Sequence, residues 1–126
     1  MESADFMGFV LVEKRLVSDM SDFLAVKLEI FIPCSYLDML RETLHFAGAG
    51  TIGNYDSSLS YSLVKGCWRV LPGASPYDGE IGILKEADEY KVEVRCKIEN
   101  LDGILKDILA MHPYETPVIN VIPLLR

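Results

Sequence analysis

Histidine, basic residues and paired cysteines are all scarce in this chain, and each shortage argues against a class of function. The 126 residues include only two histidines, and the three cysteines form no C-x-x-C pair. The sequence therefore lacks the ligand spacing of a zinc site. Twelve lysines and arginines stand against nineteen aspartates and glutamates, which gives a net charge of −7. Because nucleic-acid binding needs a basic surface, we expect no nucleic-acid partner.

Long hydrophobic runs are missing as well. Charged residues interrupt the apolar stretches, which argues against a membrane span, and the first residues lack the basic start and the apolar core of a signal peptide. Cys34, Cys67 and Cys96 are an odd number of cysteines, which is typical of free thiols in a reducing compartment. We therefore expect a cytoplasmic protein with no membrane partner.

The chain does contain enough apolar material for one domain. Half of its residues are hydrophobic, and a chain of this length fits a single ordinary core. Residues 1–25 show no clear helix or strand period, so we treat them as an N-terminal extension of unclear structure. The patterns from residue 26 to residue 126 are those of a single domain.

The first half of this domain predicts a strand followed by a helix. Apolar residues alternate with other residues from Lys27 to Ile32, which is the period of a strand. A helix over about 35–47 follows, with Ser35 at its start and Gly48 as its stop.

The middle of the chain predicts a hairpin and a loop. A strand with one polar face runs from Tyr55 to Leu63, residues 64–66 read as a hairpin turn, and Cys67–Leu71 as the partner strand. Pro72–Gly79 is a loop rich in proline and glycine. Residues 81–85 form a further short extended piece.

The second half repeats the pattern of the first. Residues 91–98 alternate as a strand in which Cys96 is expected to be buried, and a helix over about 100–111 follows with Asn100 as its cap. The last strand is expected over Thr116–Ile122, closed by Pro123.

Two β-α-β halves in tandem predict a ferredoxin-like fold. This α+β architecture has the order βαββαβ, with an antiparallel sheet and two helices on one of its faces. The extra extended pieces must then lie at sheet edges, and an exposed edge tends to pair with another chain. We therefore expect a homo-oligomer.

Four motifs, in this order, also carry a resemblance to a known family: Ala47-Gly48-Ala49-Gly50-Thr51-Ile52-Gly53-Asn54-Tyr55, Leu71-Pro72-Gly73-Ala74-Ser75-Pro76-Tyr77-Asp78-Gly79, Gly82, and His112-Pro113-Tyr114-Glu115-Thr116-Pro117. From about residue 27 to residue 124 the chain resembles the YqfO-type domain found inserted in, or standing apart from, the Nif-three-like proteins. That domain is similar to the PII and CutA folds, which are ferredoxin-like and commonly trimeric. The resemblance therefore favours a trimer.

The resemblance also limits the function that is expected. The two-metal site of the Nif-three-like proteins belongs to a larger domain that this chain is too short to contain, and the cyclohydrolase label rests on that domain. The resemblance implies a binding or regulatory module without independent catalysis, with a small-molecule effector or a protein as its partner. The alternative is a divalent-metal-binding protein or a hydrolase-type enzyme that uses His112 and Glu115.

The glycine-rich segment offers one candidate site. Gly48-x-Gly50-x-x-Gly53 matches the dinucleotide-binding fingerprint, but that fingerprint follows a strand and opens a helix, whereas this segment follows a helix and leads into a strand. A helix end with a tight turn is the interpretation that the context favours. Asn54 and Tyr55 are the side chains here that could face a cleft.

The turn after the second helix offers a second candidate site. His112 has two readings: a cap on the last helix carbonyls, favoured by the helix dipole, or one member of an acid-base or metal pair with Glu115. Two ligands are few for zinc. We expect no catalytic residue and no cofactor, with a divalent metal on His112 and Glu115 as the alternative.

If the module binds a small ligand, we expect the ligand against rigid turns that present polar and aromatic groups. The alternative is structural, with Tyr114 and Tyr77 filling the end of the domain and Glu115 accepting backbone amides of the glycine-rich turn. The candidate residues are His112, Tyr114, Glu115, Asn54, Tyr55 and Tyr77.

Overall fold

The computed structural model of the protein describes residues 24–125. All but the last two positions of the 1–25 extension lie outside the described residues. The elements, in chain order, are β1 (Ala25–Pro33), α1 (Leu37–Ala47), β2 (Leu59–Arg69), β3 (Leu84–Lys97), α2 (Leu101–Met111) and β4 (Ile119–Leu124).

The four strands form one sheet in the order β2-β3-β1-β4, and every neighbouring pair is antiparallel. This is the strand order of the ferredoxin-like fold, so the predicted βαββαβ architecture is confirmed. None of the described helices is long and apolar enough to cross a membrane.

Both helices pack on the same face of this sheet. Val26, Leu28, Ile30 and Ile32 alternate along β1, are fully buried, and belong to one core cluster with apolar residues of both helices. The helices contribute Leu40, Leu44, Ile104 and Ile108 to it. Because side chains alternate along a strand, the residues between these β1 positions point to the other face.

The helix ends agree with the prediction more closely than the helix starts. Gly48 adopts φ 89° after α1, and the predicted stop is confirmed. Neither helix has a side-chain cap, so the capping roles predicted for Ser35 and Asn100 are wrong. Short 3-10 turns lead into the helices instead, and their carbonyls accept the amides of Leu37 and Leu101.

The predicted hairpin at residues 64–66 is wrong, because β2 continues through Gly66 to Arg69. All of β2 pairs with β3, and Gly66 lies opposite Ala87. A Cβ at Gly66 would overlap both carboxylate oxygens of Glu89. The glycine therefore marks a close approach inside a strand and not a turn.

The later strands also differ from the prediction in extent. β3 is one strand of 14 residues that includes only the last two residues of the predicted short piece at 81–85. Ile81 lies before it and forms an isolated parallel bridge with Val70. The last strand begins at Ile119 and continues through Pro123, which β4 tolerates because it is an edge strand.

Candidate functional site

A cavity of about 530 Å³ lies at the end of the sheet where β1 finishes. Phe31, Trp68 and Glu89 line it from three neighbouring strands. Ile30 and Ile32 point into the core beneath the helices, so alternation places Phe31 on the opposite, helix-free face. The remaining lining residues are Gly66, Cys67, Arg69, Val70, Leu71, Ala74, Pro76, Tyr77, Asp78, Tyr114, Glu115, Thr116 and Val118.

The segment between β2 and β3 folds back and forms one wall of the cavity. The indole Nε1 of Trp68 donates a hydrogen bond to the carbonyl oxygen of Asp78 at 3.2 Å, and Lys85 Nζ lies 3.3 Å from Asp78 Oδ1. Gly79 has φ 111°, and a Cβ there would lie 3.0 Å from a methyl group of Val70. Neither this conformation nor this space suits a side chain, so glycine allows the segment to lie against Trp68.

Four aromatic rings are in successive contact along the cavity. The ring centroids of Tyr36 and Tyr77 are 6.1 Å apart, those of Tyr77 and Tyr114 are 5.8 Å apart, and those of Tyr114 and Trp68 are 5.6 Å apart. These separations fall within the usual range for favourable aromatic pairs. Three of these residues, Trp68, Tyr77 and Tyr114, line the cavity itself.

A buried carboxylate lies beside these rings. Glu89 is only 5% exposed, and its Oε2 accepts a hydrogen bond from the Tyr114 hydroxyl at 2.6 Å. Within residues 24–125, no hydrogen-bond donor is found for the other oxygen, Oε1. Burial, followed by the hydrogen bond to Glu89, raises the pKa of Tyr114, so the phenol stays protonated and keeps donating to Glu89.

His112 is a neutral side chain that binds the backbone of two residues in the cavity wall. Its Nδ1 accepts the backbone N–H of Tyr114 at 3.2 Å, so the ring proton is on Nε2, which donates to the carbonyl oxygen of Phe31 at 2.7 Å. Burial lowers the pKa of His112, which favours this neutral form. The ring thereby ties the end of α2 to β1, and the predicted role as a cap on the helix carbonyls is wrong.

The structure does not pair His112 with Glu115. Glu115 Oε1 instead accepts the backbone N–H of Ser75 at 2.8 Å, from the segment between β2 and β3. Glu115 therefore accepts a backbone amide, but the predicted partner was wrong, because Ser75 does not belong to the glycine-rich turn. A metal ion on His112 would have to displace one of its two backbone hydrogen bonds.

Residues 24–125 contain no group of three or more His, Cys, Asp and Glu side chains close enough to hold a metal ion. The interpretation of His112 and Glu115 as metal ligands stays a prediction.

Asn54 and Tyr55 do not share the cavity with the other candidates. The glycine-rich turn is held at the far end of the sheet, because the N–H of Gly50 donates to the carbonyl oxygen of Arg95 at 2.8 Å. Arg95 lies roughly 20 Å from Glu89 along β3, at about 3.3 Å per residue. Within one chain, the structure therefore groups Tyr77, Tyr114 and Glu115, supported by His112, and leaves the other two candidates apart.

The sequence reasoning missed Phe31, Trp68 and Glu89. All three lie on strands, where they read as members of a periodic pattern. One signal was available: Gly66 stands in the middle of a strand, which often indicates that another group approaches the backbone closely.

A second polar cluster lies on the helix side of the glycine-rich turn. Ser57 Oγ is 3.1 Å from His45 Nδ1, and Asp56 Oδ1 is 3.2 Å from Ser57 Oγ and 4.0 Å from the same histidine nitrogen. In a catalytic triad the carboxylate and the hydroxyl bind opposite nitrogens of the histidine. Here both lie at Nδ1, so the cluster is not arranged for nucleophilic catalysis.

Comparison with known proteins finds relatives of this chain, although no protein-family model matches it. A GTP cyclohydrolase 1 type 2 homolog of Staphylococcus epidermidis is 35% identical over 96 residues, which are 76% of this chain and 26% of that protein. Its counterpart in Halalkalibacterium halodurans is 34% identical over 98 residues, 78% of this chain and 26% of that protein. The chain thus spans about a quarter of the length of these relatives.

Solved structures agree with this match. A Bacillus cereus protein related to NIF3 superimposes with a TM-score of 0.72 and 27% identity, over 82% of this chain and 26% of that one. The divalent cation tolerance protein CutA of Archaeoglobus fulgidus gives a TM-score of 0.61 and 19% identity over 82% of this chain and 86% of its own, a likeness of fold alone. The described domain therefore resembles the YqfO-type domain of the Nif-three-like family, and it has the fold of the CutA proteins.

Proposed function

We propose that this domain is a binding or regulatory module that takes a small molecule in the cavity described above. The observation that supports this most is the combination of an aromatic wall with a buried carboxylate that keeps one oxygen without a donor among residues 24–125. Ligand pockets are typically apolar and aromatic with a few polar groups that fix orientation, and 300–1,000 Å³ is roughly their usual size.

We propose no independent catalysis for this site. The polar groups beside the cavity hold the fold together: His112 binds two backbone groups, Glu115 binds Ser75, and Tyr114 donates to Glu89. Among residues 24–125, the site offers no activated nucleophile with a base in hydrogen-bond reach. The cyclohydrolase name belongs to relatives of which this chain spans about a quarter, and we do not extend it here.

We also propose that the module works in the cytoplasm as a homo-oligomer, with a trimer favoured. β2 is an edge strand of the sheet, and Leu63 on it is 62% exposed. Ile81, Ile83 and Leu84 beside its far end are each more than half exposed. An apolar, unpaired strand edge is a surface that proteins normally cover.

Light scattering coupled to size exclusion tests the assembly. A particle of three chains at micromolar concentration is the expected result, and a particle of one chain would contradict it. Substituting Leu63 by lysine places a charge on the exposed edge, and the substitution should dissociate the oligomer if β2 forms the contact.

A thermal-shift screen of a metabolite library tests the binding function, because a ligand of the folded state raises the melting temperature. The chain has a single tryptophan, Trp68, in the cavity wall, so each hit can be titrated by intrinsic fluorescence. We expect Ala74→Phe, which fills the cavity, to abolish the shift. Ala110→Phe is the matched control, since Ala110 is exposed on α2 and does not line the cavity.

Two outcomes would contradict this proposal. If no compound shifts the wild type, or if Ala74→Phe responds to the hits as the wild type does, the cavity is not a binding site. Metal analysis of the untagged protein separates the alternative function. A transition metal bound at near-equimolar amounts, and lost in His112→Ala, would favour the metal-binding protein over the small-molecule module.

A further inference from the structure

We propose that the cavity selects an organic cation, a small molecule with an ammonium group on an apolar body, and that Glu89 is its counter-charge. This inference rests on the proposed function of the cavity as a small-molecule site.

The first observation is the state of the Glu89 carboxylate. It is 95% buried, yet its only hydrogen bond among the described residues comes from the neutral Tyr114 hydroxyl. No lysine or arginine of residues 24–125 forms an ion pair with it. The ion pairs that this stretch does contain are all at least partly exposed. A buried carboxylate normally has a cationic or several hydrogen-bonding partners. Oε1 is thus the atom at which a bound cation would complete the site.

The second observation is that the chain makes room for this carboxylate. The carboxylate reaches Gly66 on β2, diagonally from its own ladder partner Val64, and a Cβ at Gly66 would overlap both oxygens. Gly66 and Glu89 both line the cavity, so the carboxylate lies at the cavity wall. A glycine in a strand interior is unfavourable without such a reason, because it adds backbone entropy to the unfolded chain and packs no side chain.

The third observation is the aromatic wall. Trp68, Tyr77 and Tyr114 line the cavity with their rings in successive contact. The faces of aromatic rings attract cations, tryptophan most strongly, and this attraction grows when the cation is removed from water. Aromatic side chains around a carboxylate are therefore suited to an alkylammonium group.

The fourth observation is the charge of the lining. Asp78, Glu89 and Glu115 are acidic, and Arg69 is the single basic residue among the described residues that line the cavity. Asp78 is paired with Lys85, but within residues 24–125 no cationic side chain pairs with Glu89 or Glu115. An anionic ligand would lie against these carboxylates with one arginine to offset them, whereas a cation gains from the same field.

The experiment compares two ligands of the same shape and different charge. Choline carries a trimethylammonium group, and 3,3-dimethylbutan-1-ol has the same outline with carbon in place of nitrogen. Each is titrated against the full chain while the fluorescence of Trp68 is recorded. We expect saturable binding of choline and binding of the neutral alcohol at least tenfold weaker.

Glu89→Gln and Glu86→Gln form a matched pair for this titration. Both substitutions remove one negative charge from β3, but Glu86 is exposed and does not line the cavity. Glutamine at position 89 still offers an oxygen to the Tyr114 hydroxyl, so this variant is expected to fold. We expect it to bind choline roughly 10- to 100-fold more weakly, while Glu86→Gln binds as the wild type does.

The outcomes separate this inference from the function on which it rests. Equal binding of choline and the neutral alcohol, or unchanged choline binding in Glu89→Gln, overturns the cation site. If only neutral or anionic compounds from the metabolite library bind, and Ala74→Phe blocks them, the module still binds a small molecule but the cation inference is wrong. If no compound binds at all, both proposals are wrong.

Discussion

Replacing Gly66 by alanine should destabilise the protein through a residue on another strand. In an ordinary strand this substitution stabilises by about 0.4–1 kcal/mol, because alanine reduces the entropy of the unfolded chain. Here the new methyl group would overlap the Glu89 carboxylate, which must then move away from the Tyr114 hydroxyl 2.6 Å from its Oε2. A hydrogen bond to a charged group is worth about 1.5–3 kcal/mol, so we expect a net loss of about 1–2 kcal/mol.

A double-mutant cycle makes the cause testable. In a Glu89→Ala background the obstruction is gone, and the same Gly66→Ala change should become neutral or stabilising. The loss of stability caused by Gly66→Ala should therefore disappear or reverse when the Glu89 carboxylate is absent. A general intolerance of side chains at this position would not produce that difference. Gly103→Ala is the matched control, since its added methyl group would meet no described atom within 4 Å outside the neighbouring residues and backbone of its own helix, and the change should stabilise α2.

Urea unfolding at a fixed protein concentration measures all of these variants. A loss of about 1–2 kcal/mol corresponds to a fall in melting temperature of roughly 4–16 °C for a domain of this size. If Gly66→Ala is as destabilising without the Glu89 carboxylate as with it, the packing of these two residues does not explain the glycine, and the argument fails.

Two further predictions concern titration and thiol reactivity. Burial lowers the pKa of His112 below its ordinary value of 6.5, so the unfolded chain takes up a proton first as the pH falls. The stability tied to the neutral ring is present above pH 6.5 and is lost as the pH falls through the lower folded-state pKa. Urea unfolding between pH 5 and pH 7.5 should therefore show a weaker pH dependence in His112→Gln than in the control His45→Gln, and equal slopes would contradict the assignment. Burial also raises the pKa of Cys96 to about 11, so this thiol should resist an alkylating reagent that labels the exposed Cys67 in the folded protein; labelling of both cysteines at similar rates, located by peptide mass, would refute it.

The layout of the fold was readable from the sequence because each element depends on local periodicity. The alternating residues of β1 and the apolar stripes of both helices each define a face, and the two repeated halves then leave few arrangements that bury all these faces together. Gly48 was readable for the same reason, since a left-handed helix end depends on that one residue.

The predictions from sequence were wrong where the role of a residue depends on a contact with a residue that is distant in sequence. Gly66 reads locally as a hairpin turn, but its role is set by a carboxylate on the next strand. His112 reads as a helix cap, but its ring proton is used by Phe31 on β1. Asn54 and Tyr55 resemble the other candidate turn residues, yet the backbone bond of the turn to Arg95 holds them at the other end of the sheet. A local sequence pattern gives no information about these contacts between distant residues.

The same distinction explains why the turn after α2 was found and Glu89 was not. Tyr114 and Glu115 stand on a turn between two prolines, and rigid turns are where sequence reasoning looks for binding residues. Glu89 stands on a strand whose alternation assigns it to an ordinary outward face, but it is buried in the cavity wall, where Tyr114 donates to its carboxylate. A charged residue at an outward strand position becomes informative when a glycine lies diagonally from it on the neighbouring strand. The pair indicates that this face of the sheet is covered and that the charge has a role other than solubility. In this domain that pair is Gly66 and Glu89, and it lies inside the cavity.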